Sequence, residues 1–242
     1  MDTEKKESLA VVCINCGHPV TELYRKYGES VIKMTICANC NQIADKYIEF
    51  EPVVILIDLV LLTKSAYRHI LFNGYFKNFW KLFIILVLME SYMKWMNLPA
   101  AKNNQESEKN FYICGLWILG ENFLFFCILR GSVGIFEYFL KRSASTLPGR
   151  AENLSLLLWK GIILASLGKF LFVPIVIWQD NSSAFALQIH SMLVMGYFLL
   201  SLICSCSVVL CYSRLEATCI VLQSLLVKSL IVNRLGDVVK IF

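Results

Sequence analysis

Four cysteines near the start of the chain have the spacing of a zinc site. Cys13 and Cys16 form one Cys-x2-Cys pair, and Cys37 and Cys40 form a second pair after twenty intervening residues. Zinc binds four thiolates as a tetrahedron at roughly 2.3 Å, and two such pairs on a short hairpin can supply them. The spacing therefore predicts a small zinc ribbon. Its role would be structural, because four thiolates leave no coordination position open for catalysis.

The residues around the two cysteine pairs indicate two similar turns. Each pair is followed by a residue that tolerates a positive φ, Gly17 in the first and Asn41 in the second. Residues 31–36 are strand-like and residues 27–30 are typical of a turn. Two disulfides in a lumenal head are the alternative, but we see no signal peptide, and a reducing compartment favours thiolates on metal. We interpret His18 as a solvated loop residue, since four cysteines already complete the site.

The rest of the chain has the composition of a membrane protein. Its 242 residues are 57% hydrophobic and 17% charged, with a mean hydropathy of +0.60, whereas soluble domains are about a quarter charged. The predicted fold is a small N-terminal zinc ribbon (β) followed by an all-α multi-pass transmembrane bundle. We divide the chain into a head over residues 1–52, a helix over 53–74 and a bundle over 79–242.

Hydropathy predicts four or five membrane spans in the bundle, because about twenty apolar residues cross the hydrocarbon core as a helix. The spans are expected at about 80–96, 111–131, 154–178 and 185–212, and 215–235 is either a fifth span or an interfacial helix. Glu121 and Lys169 fall inside two spans, where a charge is costly. Either they pair across two helices, or Glu121 is protonated and Lys169 snorkels to the interface.

The segment between the ribbon and the bundle predicts a helix that lies at the membrane interface or enters the membrane without crossing it. Pro52 suits its first turn, and the next ten residues are apolar apart from Asp58. Ten apolar residues are too few to cross a core of about 30 Å. Asp58, Arg68 and His69 are then expected to meet polar lipid head groups. Ordinary solvation at the interface is the alternative for these three.

The distribution of basic residues predicts a cytosolic N-terminus. Lysine and arginine are frequent in the head, in the stretch before residue 80 and in the loop over 141–150, while the linker over 179–184 has neither. Loops rich in these residues stay on the cytosolic side of a membrane. All of these loops satisfy the rule if the helix over 53–74 does not cross.

Several stretches of the first third resemble the Arv family of eukaryotic membrane proteins. They are CINCG, ELYRKYG, IKMTICANC, DKYIEFEPVVILID and AYRHILFN, which form a nearly continuous block over residues 13–73. GKFLFVPIVIW, residues 168–178, is a second match. The resemblance implies residence in the endoplasmic reticulum membrane, with the Golgi as a further location. It also implies roles in sterol trafficking and distribution, in sphingolipid metabolism and in the supply of GPI-anchor synthesis, and zinc on the four cysteines.

Three functions are compatible with these features. The first is lipid handling by the helix over 53–74, with membrane lipids as partners. The second is an adaptor that docks lipid-synthesis enzymes through the ribbon. The third is an acyltransferase-type enzyme, which we do not expect because His18, His69 and His190 lack a recognisable catalytic partner in the sequence. Nucleic-acid binding is disfavoured, since the head lacks a dense basic face with interleaved aromatic residues.

Overall fold

The head folds as a short ribbon, in agreement with the predicted fold class. The computed structural model describes residues 11–27, 32–74, 76, 78–96, 107–140, 154–177 and 183–239. Strands β1 (Tyr24–Lys26) and β2 (Ile32–Met34) pair antiparallel, with Arg25 opposite Lys33. Most of the predicted turn over 27–30 lies outside the described residues. Single bridges, Val12 with Pro19 and Ile36 with Ile43, close the two cysteine loops.

The rest of the described chain is helical. After a 3-10 turn at Lys46–Ile48, the helices are α1 (Pro52–Val60), α2 (Lys64–Arg68), α3 (Phe79–Met96), α4 (Ser107–Leu140), α5 (Leu154–Ser166), α6 (Phe172–Ile177), α7 (Ala184–Leu210) and α8 (Arg214–Val239). One π-helical turn, His69–Asn73, follows α2. A 3-10 turn, Leu167–Leu171, joins α5 to α6. Pro174 lies three residues after this turn and has no N–H to donate to the carbonyl of Phe170.

Four of these helical stretches are long and apolar enough to cross a membrane. They are Glu108–Phe139, Leu154–Pro174, Phe185–Leu210 and Arg214–Leu235. The chain is therefore a multi-pass membrane protein, and the segment that we left open at 215–235 has the length and composition of a span. The predicted span over 80–96 forms α3, but three charged residues in its eighteen keep it outside this set. That α3 crosses the membrane stays a prediction.

The segment over 53–74 is not one continuous helix, so the prediction is wrong on that point, while its interfacial or re-entrant position stays a prediction. Leu62 adopts a left-handed conformation with φ of 56°, so α1 stops and the chain turns into α2. A leucine rarely holds this conformation without support from its surroundings. The break releases backbone carbonyls from helical hydrogen bonding, and such carbonyls are costly in an apolar medium unless they find other donors.

Helix α7 supplies those donors. Tyr197, Ser201 and Cys204 follow one another at steps of four and three residues, so they lie on one face of α7. Each bonds to the α1–α2 hairpin: Tyr197 Oη donates to Val60 O (3.0 Å), Tyr67 Oη shares a hydrogen bond with Ser201 Oγ (2.6 Å), and Cys204 Sγ donates to Leu62 O (3.4 Å). The hairpin is therefore fixed to the centre of the bundle.

Two glycines let α5 and the turn after it pack closely on α7. A Cβ added at Gly161 would lie 2.6 Å from Ser205 Oγ, and one at Gly168 would lie 2.4 Å from the ring of Tyr197. Both distances are too short for real atoms. Small residues commonly permit such contacts between membrane helices.

Gly168→Ala should destabilise the bundle, because the new methyl group displaces the Tyr197 ring and its hydrogen bond to Val60. We expect the free energy of unfolding to fall by about 1–3 kcal/mol, which is typical of an overpacked site. Thermal unfolding in detergent measures it. Gly120→Ala is the matched control, since a Cβ there meets nothing within 4 Å. Equal losses in the two variants would contradict the prediction.

Candidate metal centre and its mount

The four cysteine sulfurs converge on one point. All four Sγ atoms lie within 4.8 Å of one another. Cys13 Sγ is 3.7 Å from Cys40 Sγ, and Cys16 Sγ is 3.7 Å from Cys37 Sγ. A tetrahedron with bonds of roughly 2.3 Å has edges of roughly 3.8 Å, so the thiols fit a zinc ion. They do not fit two disulfides, whose sulfurs are roughly 2 Å apart.

Local backbone bonds explain why the sequence folds this way. In the first loop Gly17 N–H donates to Cys13 O (2.8 Å), and in the second Asn41 N–H donates to Cys37 O (2.9 Å). Gly17 and Asn41 both have positive φ, 80° and 54°, as predicted. Ile14 N–H donates to Ala44 O (2.9 Å) and ties the two loops together. The result is a pair of equivalent turns around one centre.

The surroundings of the thiols differ. Burial raises the pKa of Cys13 to about 12. Burial acts in the same direction at Cys16, but hydrogen bonds from the His18 backbone and the Asn39 side chain lower the pKa of that thiol to about 7. Cys16 therefore loses its proton more readily than Cys13, and the thiolate is the form that binds metal. His18 is exposed and is not part of the cluster.

A buried carboxylate directly after the second loop joins the ribbon to the helices. Asp45 is 0% exposed and accepts hydrogen bonds from three donors: Tyr47 N–H (3.0 Å), His69 Nδ1 (2.7 Å) and Asn73 Nδ2 (2.8 Å). Asn73 also bonds to both the N–H and the carbonyl of Val12 (2.9 and 2.8 Å). We call Asp45, His69 and Asn73 the mount, because they hold the ribbon on the π-helical turn.

A second contact fixes the ribbon to α1 and α2. The Tyr47 hydroxyl donates to Asp58 Oδ2 (2.6 Å) and lies 3.1 Å from Ser65 Oγ. Burial, reinforced by Asp58, raises the pKa of Tyr47 to about 12, so the hydroxyl remains a donor at physiological pH. Lys46 Nζ lies 3.8 Å from the same carboxylate.

The three residues expected to meet lipid head groups all have partners within the protein. Asp58 accepts from Tyr47, His69 bonds to Asp45, and Arg68 donates to the carbonyls of Ile14 and Asn15. They connect the ribbon to the helices, and their contact with lipid stays a prediction. The partners Asp45, Tyr47 and Asn73 were missed. The signal was present in DKYIEFEP and AYRHILFN, which we interpreted only as stretches of family resemblance and, at Arg68 and His69, as contacts with lipid head groups.

We expected none of the histidines to have a partner of the kind found in catalytic sites. His69 does have one, because the carboxylate of Asp45 is hydrogen-bonded to its ring. The two residues are 24 positions apart, and only the contact between ribbon and helices unites them. Nucleophilic catalysis also needs a hydroxyl or thiol on the second nitrogen of the histidine. Within the described part of the chain, no such group is hydrogen-bonded to His69. The pair joins the ribbon to the π-helical turn.

The charged residues of the bundle pair differently from the prediction. Lys169 Nζ lies 2.7 Å from Glu90, and Glu121 lies near Lys94 (3.4 Å) and Lys228 (3.1 Å). The proposed Glu121–Lys169 pair is therefore wrong. The reason is that α3 packs against both α4 and the 3-10 turn after α5, so that Glu90 meets Lys169 of that turn and Lys94 meets Glu121 of α4.

Comparison with known proteins decides the family. The sequence profile of the Arv1-like family matches residues 12–202. The chain belongs to the Arv1-like family. It is similar to Protein ARV1 of Homo sapiens, with 35% identity over 76% of this chain and 68% of that protein. It is also similar to Protein ARV1 of Mus musculus, with 33% identity over 91% of this chain and 81% of that protein.

A yeast relative matches the chain over a shorter stretch. Protein ARV1 of Saccharomyces cerevisiae is 44% identical over 64 residues, which cover 26% of this chain and 20% of that protein. No solved structure matches the chain. The names of these Arv1-like relatives mention no enzymatic activity.

Cys37→Ser should remove the metal from the head, because three thiolates hold zinc less tightly than four. We expect one equivalent of zinc per chain in the unmodified protein and a substoichiometric amount in the variant, as measured by elemental analysis. His18→Ala is the control and should keep its zinc. Metal loss from His18→Ala equal to that from Cys37→Ser would contradict the ligand set.

Asp45→Asn should loosen the ribbon from the helices. The carboxylate accepts from Tyr47 N–H on Oδ1 and from His69 and Asn73 on Oδ2, whereas an amide has one oxygen and must turn its NH2 group toward a donor on one of these two sides. Breaking a buried charged network costs about 3 kcal/mol or more. Faster proteolysis at residues 45–52 in detergent reports the change. Asp58→Asn is the control, since that carboxylate is partly exposed and should change the rate much less.

Proposed function

We propose that this protein mediates sterol homeostasis in the endoplasmic reticulum membrane, through intracellular sterol uptake, trafficking and distribution. Linked roles in sphingolipid metabolism and GPI-anchor synthesis belong to the same proposal, and the Golgi is a further location. Membership of the Arv1-like family supports it, as does the number of candidate spans. We propose zinc as the metal of the ribbon and membrane lipids as the partners. The proposal includes no enzymatic activity.

The observation that carries lipid handling is the exposed apolar surface of α1. The exposed residues of this helix and its end are Val53, Val54, Leu56, Ile57, Val60 and Leu61. Isolated apolar residues are common on protein surfaces, but a continuous apolar helix that lacks a protein cover indicates contact with lipid or with an apolar partner. The ribbon holds this helix at one end, through Tyr47 and Asp58.

The position at which the α1–α2 hairpin contacts α7 supports the proposal that α1 enters the membrane. The carbonyl of Val60, at the end of α1, bonds to Tyr197. Tyr197 is the thirteenth of the 26 residues of the candidate span Phe185–Leu210, which is the middle of that span. A helix of nine residues extends roughly 13 Å, about half of a hydrocarbon core. These dimensions favour a helix that dips into one leaflet over one that lies on its surface.

The proposed orientation places the ribbon in the cytosol. The basic residues of the head and the thiols of the metal centre support it, because the cytosol retains positive loops and keeps thiols reduced. In this arrangement the metal keeps the ribbon rigid, the mount fixes the ribbon to the membrane helices, and α1 presents its apolar side chains to lipid in the cytosolic leaflet.

A direct test uses the purified full-length protein in vesicles with a fluorescent sterol. We expect the protein alone to bind the sterol and to speed its transfer between vesicles. Ile57→Asn should reduce both sterol binding and sterol transfer several-fold, because placing the asparagine side chain in an apolar lipid environment costs free energy. The matched control is Leu116→Asn, since Leu116 is an exposed apolar residue of α4. Equal loss in the two variants would contradict a special role of α1.

The alternative function is a membrane adaptor that docks lipid-synthesis enzymes through the ribbon. The observation that favours it is the outer surface of the head, where Ile36 and Ile43 form a bridged and exposed pair. Arg25 and Lys33 lie opposite each other on the hairpin, a like-charge pair that an acidic partner would relieve. Sterol transfer that fails with the purified protein but returns with an added partner enzyme would favour this function.

A further inference from the structure

Two lysines meet one carboxylate between α4 and α8, inside the apolar part of the bundle. Glu121 Oε1 lies 3.4 Å from Lys94 Nζ and accepts from Trp117 Nε1, while Glu121 Oε2 lies 3.1 Å from Lys228 Nζ. Glu121 and Lys228 both fall within candidate membrane spans. An ionisable residue at this depth is costly and is generally retained for a function. The ribbon and the mount make no use of this cluster.

The ammonium group of Lys228 is only partly satisfied. It has three N–H donors, and among the described residues Glu121 supplies the acceptor within ion-pair distance. That carboxylate is already shared with Lys94 and Trp117. The Lys228 side chain is 26% exposed, so a ligand can reach the remaining donors.

The side chains along the contact between α4 and α8 become more exposed toward Lys228. One turn before Lys228, Ser224 is buried and donates to Ser132 Oγ of α4 (3.1 Å). At the level of Lys228 and Glu121 both side chains are partly exposed. The outer faces of the two helices carry exposed leucines, Leu116 on α4 and Leu226 and Leu230 on α8. A ligand of Lys228 therefore arrives from the lipid and must carry its anionic group below the membrane surface.

We propose that Lys228, beside Glu121, binds the phosphate of an anionic membrane phospholipid in the seam between α4 and α8. Phosphate oxygens can accept several charge-assisted hydrogen bonds at once, which suits an ammonium group with donors to spare. Lys228 precedes the end of its span, Leu235, by seven residues, or roughly 10 Å. The phosphate would thus sit below its usual depth, with the bilayer locally thinned around it. This site is separate from α1 and does not depend on sterol handling.

The negative charge of Glu121 competes with a phosphate for the same ammonium group. Removal of that charge should therefore strengthen lipid binding, whereas removal of the lysine should weaken it. If the pair were purely structural, loss of either residue would break the same contact, and both substitutions would change lipid binding in the same direction. The opposite signs of the two effects distinguish a ligand site from a structural contact.

The test is photolabelling of the full-length chain in phosphatidylcholine vesicles that contain phosphatidic acid with a diazirine on its acyl chain. We expect label on the peptides of α4 and α8, with less from a phosphatidylcholine probe of the same chain. Lys228→Met should reduce the label about tenfold, the value of one charge-assisted hydrogen bond. Lys228→Arg should retain it, and Glu121→Gln should increase it.

Lys160→Met is the matched control, since Lys160 lies in another candidate span and outside the cluster. Its label should equal that of the unmodified protein, and gel filtration should show that every variant is folded. Excess inorganic phosphate should leave the label unchanged, because a free anion does not enter the bilayer. Equal labelling by both lipid probes, no change in Lys228→Met, or a loss of label in Glu121→Gln would each overturn the proposal. So would cross-links from this face to a second protein in place of lipid.

Discussion

The buried carboxylate of Asp45 is the contact on which the arrangement of head and membrane helices depends. A carboxylate without any exposed surface is tolerated only when donors surround it. Those donors are the backbone N–H of Tyr47 and the side chains of His69 and Asn73. The residue before it, Ala44, bonds to Ile14 in the first cysteine loop. The two cysteine loops therefore position Asp45, and Asp45 positions the π-helical turn, so that the fold of the ribbon and the placement of the α1–α2 hairpin depend on each other.

Helix α7 supports the same hairpin from the membrane side. Its Tyr197 and Cys204 bind carbonyls that the break between α1 and α2 leaves free. Polar backbone within a membrane is stable only where protein covers it. The hairpin thus has two supports, a polar one at the ribbon and a hydrogen-bonded one in the bundle, while the outer side of α1 stays exposed. Both supports act near the C-terminal end of α1, at Asp58 and Val60, so they fix the direction in which this helix leaves the bundle.

Local patterns predicted the parts of the fold that depend on local chemistry. The cysteine pairs and the positive φ of Gly17 and Asn41 follow from spacing and from residue type. The break at Leu62 could not be predicted, because leucine disfavours a positive φ and α7 stabilises it from a distance. The partners of Glu121 were missed for a similar reason, since the packing of α3 decides which charges meet. Long-range contacts thus determine the break at Leu62 and the partners of Glu121, and neither periodicity nor composition could predict them.

The head and the bundle use charge in opposite ways. Asp45 is sealed from solvent, and each of its contacts is a fixed donor of the protein, so the network specifies one arrangement and leaves nothing for a ligand. Glu121 is partly exposed and shared between two lysines. Complete polar networks rigidify a structure, whereas incomplete ones are tolerated when another group completes them. Asp45 is buried and all of its contacts are within the protein, so it is a structural carboxylate. Glu121 is partly exposed and lies beside a lysine with further N–H donors, so it can regulate the binding of an anion.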